Sequence, residues 1–231
     1  MGQAAHPATL ELNRQCASAS SNHSAAVAQS ATTNYGIKTS MRTPTSQTIV
    51  DWSKGNFVNQ EEWEYTRTSV SWIEAGYTDG DQYFLPSHYL HPENYTGWFW
   101  ADESAGGFFS YDFMSAPTNS NIYIMYITPV TGTHTWDVTW KESKSSAIIA
   151  SGTQSGSQTY NQTGDRVSFG IENTCLSNTW AAHDQRIGQK VKTGTSTYSW
   201  TTFRSTMASH VTGGDTYFHW ITRGKKFSAG T

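Results

Sequence analysis

Leucine is nearly missing from this chain, occurring five times in 231 residues. Charged residues supply only 14%, against about a quarter in ordinary globular domains. Helical bundles are built on Ala, Leu, Glu and Lys, so the shortage argues against an all-α fold. Lys and Arg are scattered and the formal net charge is -3, which leaves no basic track to neutralise phosphates and argues against nucleic acid as a partner. The longest apolar run, Ile122 to Ile127, is strand-sized and far short of the roughly 20 residues that span a bilayer. No basic region followed by an apolar stretch opens the chain, so no secretory leader is visible. The two cysteines, Cys16 and Cys175, make no disulfide framework and leave open whether they form a single bridge. Nothing calls for a metal or cofactor. His88 and His91 enclose Tyr89-Leu90 ahead of Pro92, which reads as a loop. Turn chemistry accounts for Asp79-Gly80-Asp81 without calcium. A Gly-x-Ser-x-Gly nucleophile elbow is missing as well.

What is abundant is aromatic: 10 Trp, 12 Tyr and 10 Phe, or 14% of the chain. Disordered chains lack such residues, so a folded, β-rich domain of extracellular character is expected. Residues 1–33 are rich in Ala, Ser, Thr, Gln and Asn and poor in aromatics, which reads as a flexible N-terminal arm or processed leader. The composition changes at Asn34-Tyr35-Gly36, and residues 34–231 form the expected domain. Short β-prone runs separated by Gly and Ser turns follow. Glu64–Tyr77 reads as one long strand, Ile122–Thr128 as a strand buried on both faces, and Thr133–Lys141 as an alternating one. Only Thr179–Gly188 and Phe203–His210 fit short helices. The fold expected is a single all-β domain, an antiparallel β-sandwich of concanavalin-like or jelly-roll type.

Two carboxylates sit in strand patterns that could carry chemistry. In Val167-Ser168-Phe169-Gly170-Ile171-Glu172, alternation puts Val167, Phe169 and Ile171 on a core face. Ser168, Gly170 and Glu172 then share the other face, where two small residues leave room beside a carboxylate. In Trp72-Ile73-Glu74-Ala75-Gly76-Tyr77, Glu74 shares a face with Trp72 and with Gly76. Either glutamate read alone is a strand residue facing water. Brought together on one sheet face, they would make a general acid–base pair.

The order of these segments resembles a known family. Asn34-Tyr35-Gly36 with Pro44, then Trp72–Tyr77 running into Asp79-Gly80-Asp81, then Trp98-Phe99-Trp100, then Glu172, is similar to the glutamic peptidases (eqolisins) and their bacterial relatives. The resemblance implies a concanavalin-like sandwich whose concave sheet holds a catalytic Gln and Glu. It places the Glu at Glu172 and the Gln at Glu74, where this chain carries a glutamate as the neprosin-type peptidases do. It also departs at Trp100, where the family has a Glu between aromatics. A Gln amide donates to a developing oxyanion at any pH, whereas Glu74 donates only when protonated. The implied peptidase therefore works at acid pH with a Glu74/Glu172 dyad sharing one proton.

The aromatics support two further readings. Trp72, Trp98, Trp100 and Trp136, with Trp140, could line the concave sheet and stack on sugars, as in a glycosidase or carbohydrate-binding domain. They could equally fill the core of a leucine-poor sandwich, leaving a non-catalytic extracellular structural or surface protein. The expected partner is thus a polypeptide or a polysaccharide, met outside the cell, with no membrane span; oligomeric state is not legible.

Overall fold

A computed structural model describes residues 24–30, 33–42, 57–67, 71–80, 95–103, 109–115, 122–154, 163–173, 181–192, 197–201, 208–212, 217–222 and 226–230. Strands in chain order are β1 (Ser24–Ser30), β2 (Ile37–Arg42), β3 (Phe57–Arg67), β4 (Ser71–Gly80) and β5 (Tyr95–Glu103). Next come β6 (Phe109–Ser115), β7 (Ile122–Pro129), β8 (Trp136–Glu142), β9 (Ile148–Gln154) and β10 (Arg166–Asn173). The last are β11 (Ala181–Lys192), β12 (Tyr198–Thr201), β13 (Ala208–Thr212), β14 (Tyr217–Thr222) and β15 (Lys226–Gly230). One seven-stranded sheet runs β13-β1-β10-β3-β4-β5-β6. An eight-stranded sheet runs β14-β15-β11-β2-β7-β8-β9, with β12 also on β11. Both are antiparallel throughout. The chain is an all-β sandwich. No helix occurs among the described residues, and so none long and apolar enough to cross a membrane.

Alternation along each strand sorts side chains into the space between the sheets or away from it. The inner face of the seven-stranded sheet carries Val167, Phe169 and Ile171 on β10, Ile73, Ala75 and Tyr77 on β4, and Trp98 on β5, all buried. Opposite them the eight-stranded sheet presents Ile37 and Met41 on β2, Tyr123, Met125 and Ile127 on β7, and Trp136, Val138 and Trp140 on β8. Large rings do the filling that leucine does elsewhere. Trp98 meets Tyr77 at 5.2 Å, Tyr123 at 5.3 Å and Trp140 at 6.2 Å between ring centroids.

Several sequence expectations are corrected here. The expected strand Glu64–Tyr77 is two strands, because β3 ends at Arg67 and β4 returns antiparallel from Ser71. High β-propensity across the run does not mark the reversal, which lets both halves bury one face. The strand at Ile122 is buried on one side only: Tyr123, Met125 and Ile127 are buried, and Ile122, Ile124 and Tyr126 are half-buried. Of the expected helix Thr179–Gly188, the described part from Ala181 onward is strand, since β11 ladders on both edges, with β2 on one side and β15 and β12 on the other, and pairing overrides a weak helical preference. Ala208 to His210, read with the second helix, belong to β13. The N-terminal arm does not extend to residue 33: β1 pairs with β10 and β13 inside the seven-stranded sheet. Its small residues Ala25, Ala26 and Ala28 have low strand propensity, and sheet context decides. Residues 1–23 and both cysteines, Cys16 and Cys175, lie outside the described residues.

Two carboxyl groups occupy the space between the sheets. Glu62 and Glu64, on the inner face of β3, are 0% exposed. Thr39 Oγ1 on β2 donates to Glu62 Oε2 at 2.5 Å. Asn34 Nδ2 donates to Glu64 Oε1 at 3.0 Å. Asn34 is itself held by a bridge to Gly164, with both backbone hydrogen bonds at 3.0 Å. Burial pushes both carboxyls well above the usual glutamate range, and the bonds from Thr39 and Asn34 oppose it. Glu62 and Asp165 push Glu64 up further. The Tyr126 phenol is also raised, first by burial and then by Glu62.

Because both folded values lie above the unfolded one, the protonated forms are stabilised by folding. The associated stability is fully present below about pH 4.3 and is lost as pH rises through the folded values. Thermal unfolding from pH 3 to 8 should therefore give the highest Tm at the acid end, and the Glu62→Gln/Glu64→Gln double variant should lose most of that slope. A flat profile for the wild type would contradict it. A Cβ at Gly164 would collide with the Glu64 carboxyl. Gly164→Ala should cost about 1–3 kcal/mol in urea unfolding; an unchanged midpoint would mean Glu64 is not held there.

Candidate functional site

The face of the seven-stranded sheet turned away from the core is polar, and register arranges it in rows across β10, β3, β4 and β5. The first row is Arg166, Tyr65, Trp72; the second is Ser168, Trp63, Glu74, Ala101. The third is Gly170, Glu61, Gly76, Phe99. The fourth begins at the register position of Glu172 and continues through Asn59, Thr78 and Gly97. Exposure falls along this series. Arg166, Tyr65, Trp72 and Trp63 are half-buried, whereas Glu61, Ser168 and Asn59 are buried.

Glu74 is 7% exposed, and Trp72 Nε1 donates to its Oε2 at 3.3 Å. The two residues lie two apart on one strand face, so the indole reaches along β4 to hold the carboxyl. Tyr65 stands beside Trp72, ring centroids 6.3 Å apart, with the Arg166 guanidinium 3.9 Å above its ring. Burial raises the Tyr65 phenol above its ordinary range; Arg166 opposes this, and the Glu74 and Glu61 carboxylates add to it. A phenol, a guanidinium, an indole and two carboxyls therefore share one electrostatic neighbourhood.

The chain is similar in structure to glutamic peptidases. Scytalido-glutamic peptidase with a transition-state analogue inhibitor superposes with a TM-score of 0.49 at 9% identity, covering 90% of this chain and 96% of that one. SCP-B, a member of the eqolisin family in complex with the tripeptide Ala-Ile-His, gives a TM-score of 0.48 at 7% identity over 90% and 96%. Likeness at these levels assigns neither family nor activity. No protein-family model matches the chain, and no curated protein matches it in sequence.

The sequence candidates fall in different places. Glu74 and Trp72 come together on the outer face as their spacing predicts. Glu172 is paired with Asn59 in the ladder, and its side chain lies outside the described residues. Strand β3 runs between β4 and β10, and Glu74 and Glu172 stand two rows apart. Ordinary strand spacings then separate their Cα atoms by roughly 16 Å. Trp98 and Trp136 are 0% exposed and fill the space between the sheets, which corrects the expectation that they line an open face. Trp100 shares the inner face with Trp98 and meets Trp140 at 5.3 Å between ring centroids with the planes tilted by 48°, so it too turns toward the core. A chain poor in leucine needs its indoles inside. His88, His91 and Asp81 lie outside the described residues.

Glu61 is the group that sequence reading missed. Its strand reads Asn-Gln-Glu-Glu-Trp-Glu-Tyr, which looks like a solvated charged run because alternation between two polar faces leaves no hydrophobic contrast. The signal that could have found it is parity with Trp63 and Tyr65. Gly76 lies beside it in the ladder, and a Cβ there would come within 2.6 Å of Glu61 Cβ. Gly76→Ala should push β3 and β4 apart and cost about 1–3 kcal/mol of stability in urea unfolding. A variant as stable as wild type would show that the two strands have slack at this row.

Proposed function

We propose that the chain is a hydrolase of peptide bonds working through carboxyl groups on the outer face of the seven-stranded sheet, with Glu74 as one of them. The observation that supports it is the hydrogen bond from Trp72 to a nearly buried Glu74, on a face whose neighbouring row is lined by Gly170 and Gly76. A carboxyl held in place near small residues can meet a substrate backbone laid across the strands. Its work there is proton transfer, taking a proton from water or giving one to the scissile carbonyl. Glu172, on the same sheet two rows away, is the partner that the sequence proposes, and the medium is extracellular and acidic. The sugar-stacking alternative keeps only Trp72 of its five indoles on this face.

Digestion of a denatured protein substrate from pH 3 to 7 tests the proposal. The wild type should cleave at the acid end, and Glu74→Gln should lose about 100-fold or more in kcat with its urea midpoint kept. Absence of cleavage by the wild type at every pH would sink it.

A further inference from the structure

We infer that Glu61 is the second carboxyl of this site, a catalytic residue paired with Glu74; the inference rests on the peptidase reading above. Glu61 stands on β3, next to the strand of Glu74, and the two occupy diagonal register positions, Glu61 opposite Gly76 and Glu74 opposite Trp63. Diagonal neighbours lie about 7–8 Å apart at Cα, within reach of long side chains. The same relation holds on the other side, where Glu61 is opposite Gly170 and Glu172 is opposite Asn59. Glu61 is thus the middle position of a diagonal from Glu74 to Glu172, which are too far apart to share one water directly. Glycines flank it in the ladder on both neighbouring strands. Burial raises the Tyr65 phenol, and the Glu74 and Glu61 carboxylates add to the shift. Trp63, Tyr65 and Trp72, at the Glu74 end of the diagonal, are half-buried, while Glu61 is 0% exposed and Asn59 and Thr78 in the row of Glu172 are buried.

Two carboxyls at this spacing suit a proton relay in which one is ionised and the other is not. The ionised member takes a proton from water as the water oxygen bonds to the scissile carbonyl carbon. The protonated member gives its proton to the carbonyl oxygen. In collapse, one hydroxyl proton returns to that second carboxylate and the C=O bond re-forms. The C–N bond then breaks as the first carboxyl passes its proton to the leaving nitrogen. One peptide bond and one water become a carboxylic acid and an amine, and both glutamates regain their starting states.

The test compares wild type, Glu61→Gln, Glu74→Gln and their double variant on a denatured protein from pH 3 to 7, with urea midpoints measured alongside. Glu61→Gln and Glu74→Gln should each lose about 100-fold or more in kcat. The double variant should be no worse than either, because the pair acts as a unit. A Glu61→Gln enzyme as fast as wild type, with Glu74→Gln inactive, overturns the inference and leaves the peptidase reading standing. A wild type that cleaves nothing overturns both. If Glu61→Gln lowers the urea midpoint, carboxyl-carbon NMR of the wild type decides. A coupled two-step titration of Glu61 with Glu74 supports the pair, and independent titrations overturn it.

Discussion

The arrangement of this sandwich depends on two carboxyl groups that the core must accommodate. Glu62 and Glu64 enter the space between the sheets from one strand, and each is met by a single donor from the opposite layer or its approach, Thr39 for one and Asn34 for the other. Their remaining oxygens, Glu62 Oε1 and Glu64 Oε2, are buried with no hydrogen-bond partner among the described residues. A buried polar oxygen left in that state costs more than a normal hydrogen bond returns. The site is therefore tolerable chiefly when the acids are protonated, and the stability of the two-layer contact is tied to pH through the same groups. Gly164 and the Asn34 bridge complete the clasp, since any larger residue at 164 would occupy the place of the Glu64 carboxyl.

The clasp also determines what the other side of the sheet displays. Side chains on a strand alternate with a period of two, so holding Glu62 and Glu64 inward turns Glu61, Trp63 and Tyr65 outward. A slip of one residue would exchange the two sets between the faces. Core and candidate site are in this sense written on one strand. The stretch from Gln60 to Tyr65 supplies both the acid-dependent contact between layers and the middle of the polar outer face.

Much of the fold is legible in the chain. Scarce leucine, abundant aromatics and period-two patterns identify an all-β sandwich, and the alternation puts Trp136, Val138 and Trp140 on one face, which the structure turns to the core. The parity of Trp72 with Glu74 likewise anticipates their contact. What misled was composition where pairing rules: the Ala-rich stretch at Ser24–Ser30 reads as an arm but lies between two partner strands. The stretch at Ala181–Lys192 reads in part as a helix but ladders on both edges. Backbone pairing with distant segments is invisible to a local window.

The sequence by itself determined the class of the fold, the faces of the clearly amphipathic strands and the chemical types available for a site. Only the tertiary structure decided which glutamates are inside and which are out, because Glu61, Glu62 and Glu64 differ in nothing but parity. It also decided which tryptophans are core, since an indole suits a buried layer and a binding face equally well by itself. The spacing between Glu74 and Glu172 was likewise beyond the sequence, for it depends on the intervening strand β3 and on the register of two ladders. Local pattern sets the direction of a side chain relative to its own strand; which layer that direction meets is set by the partners the strand finds.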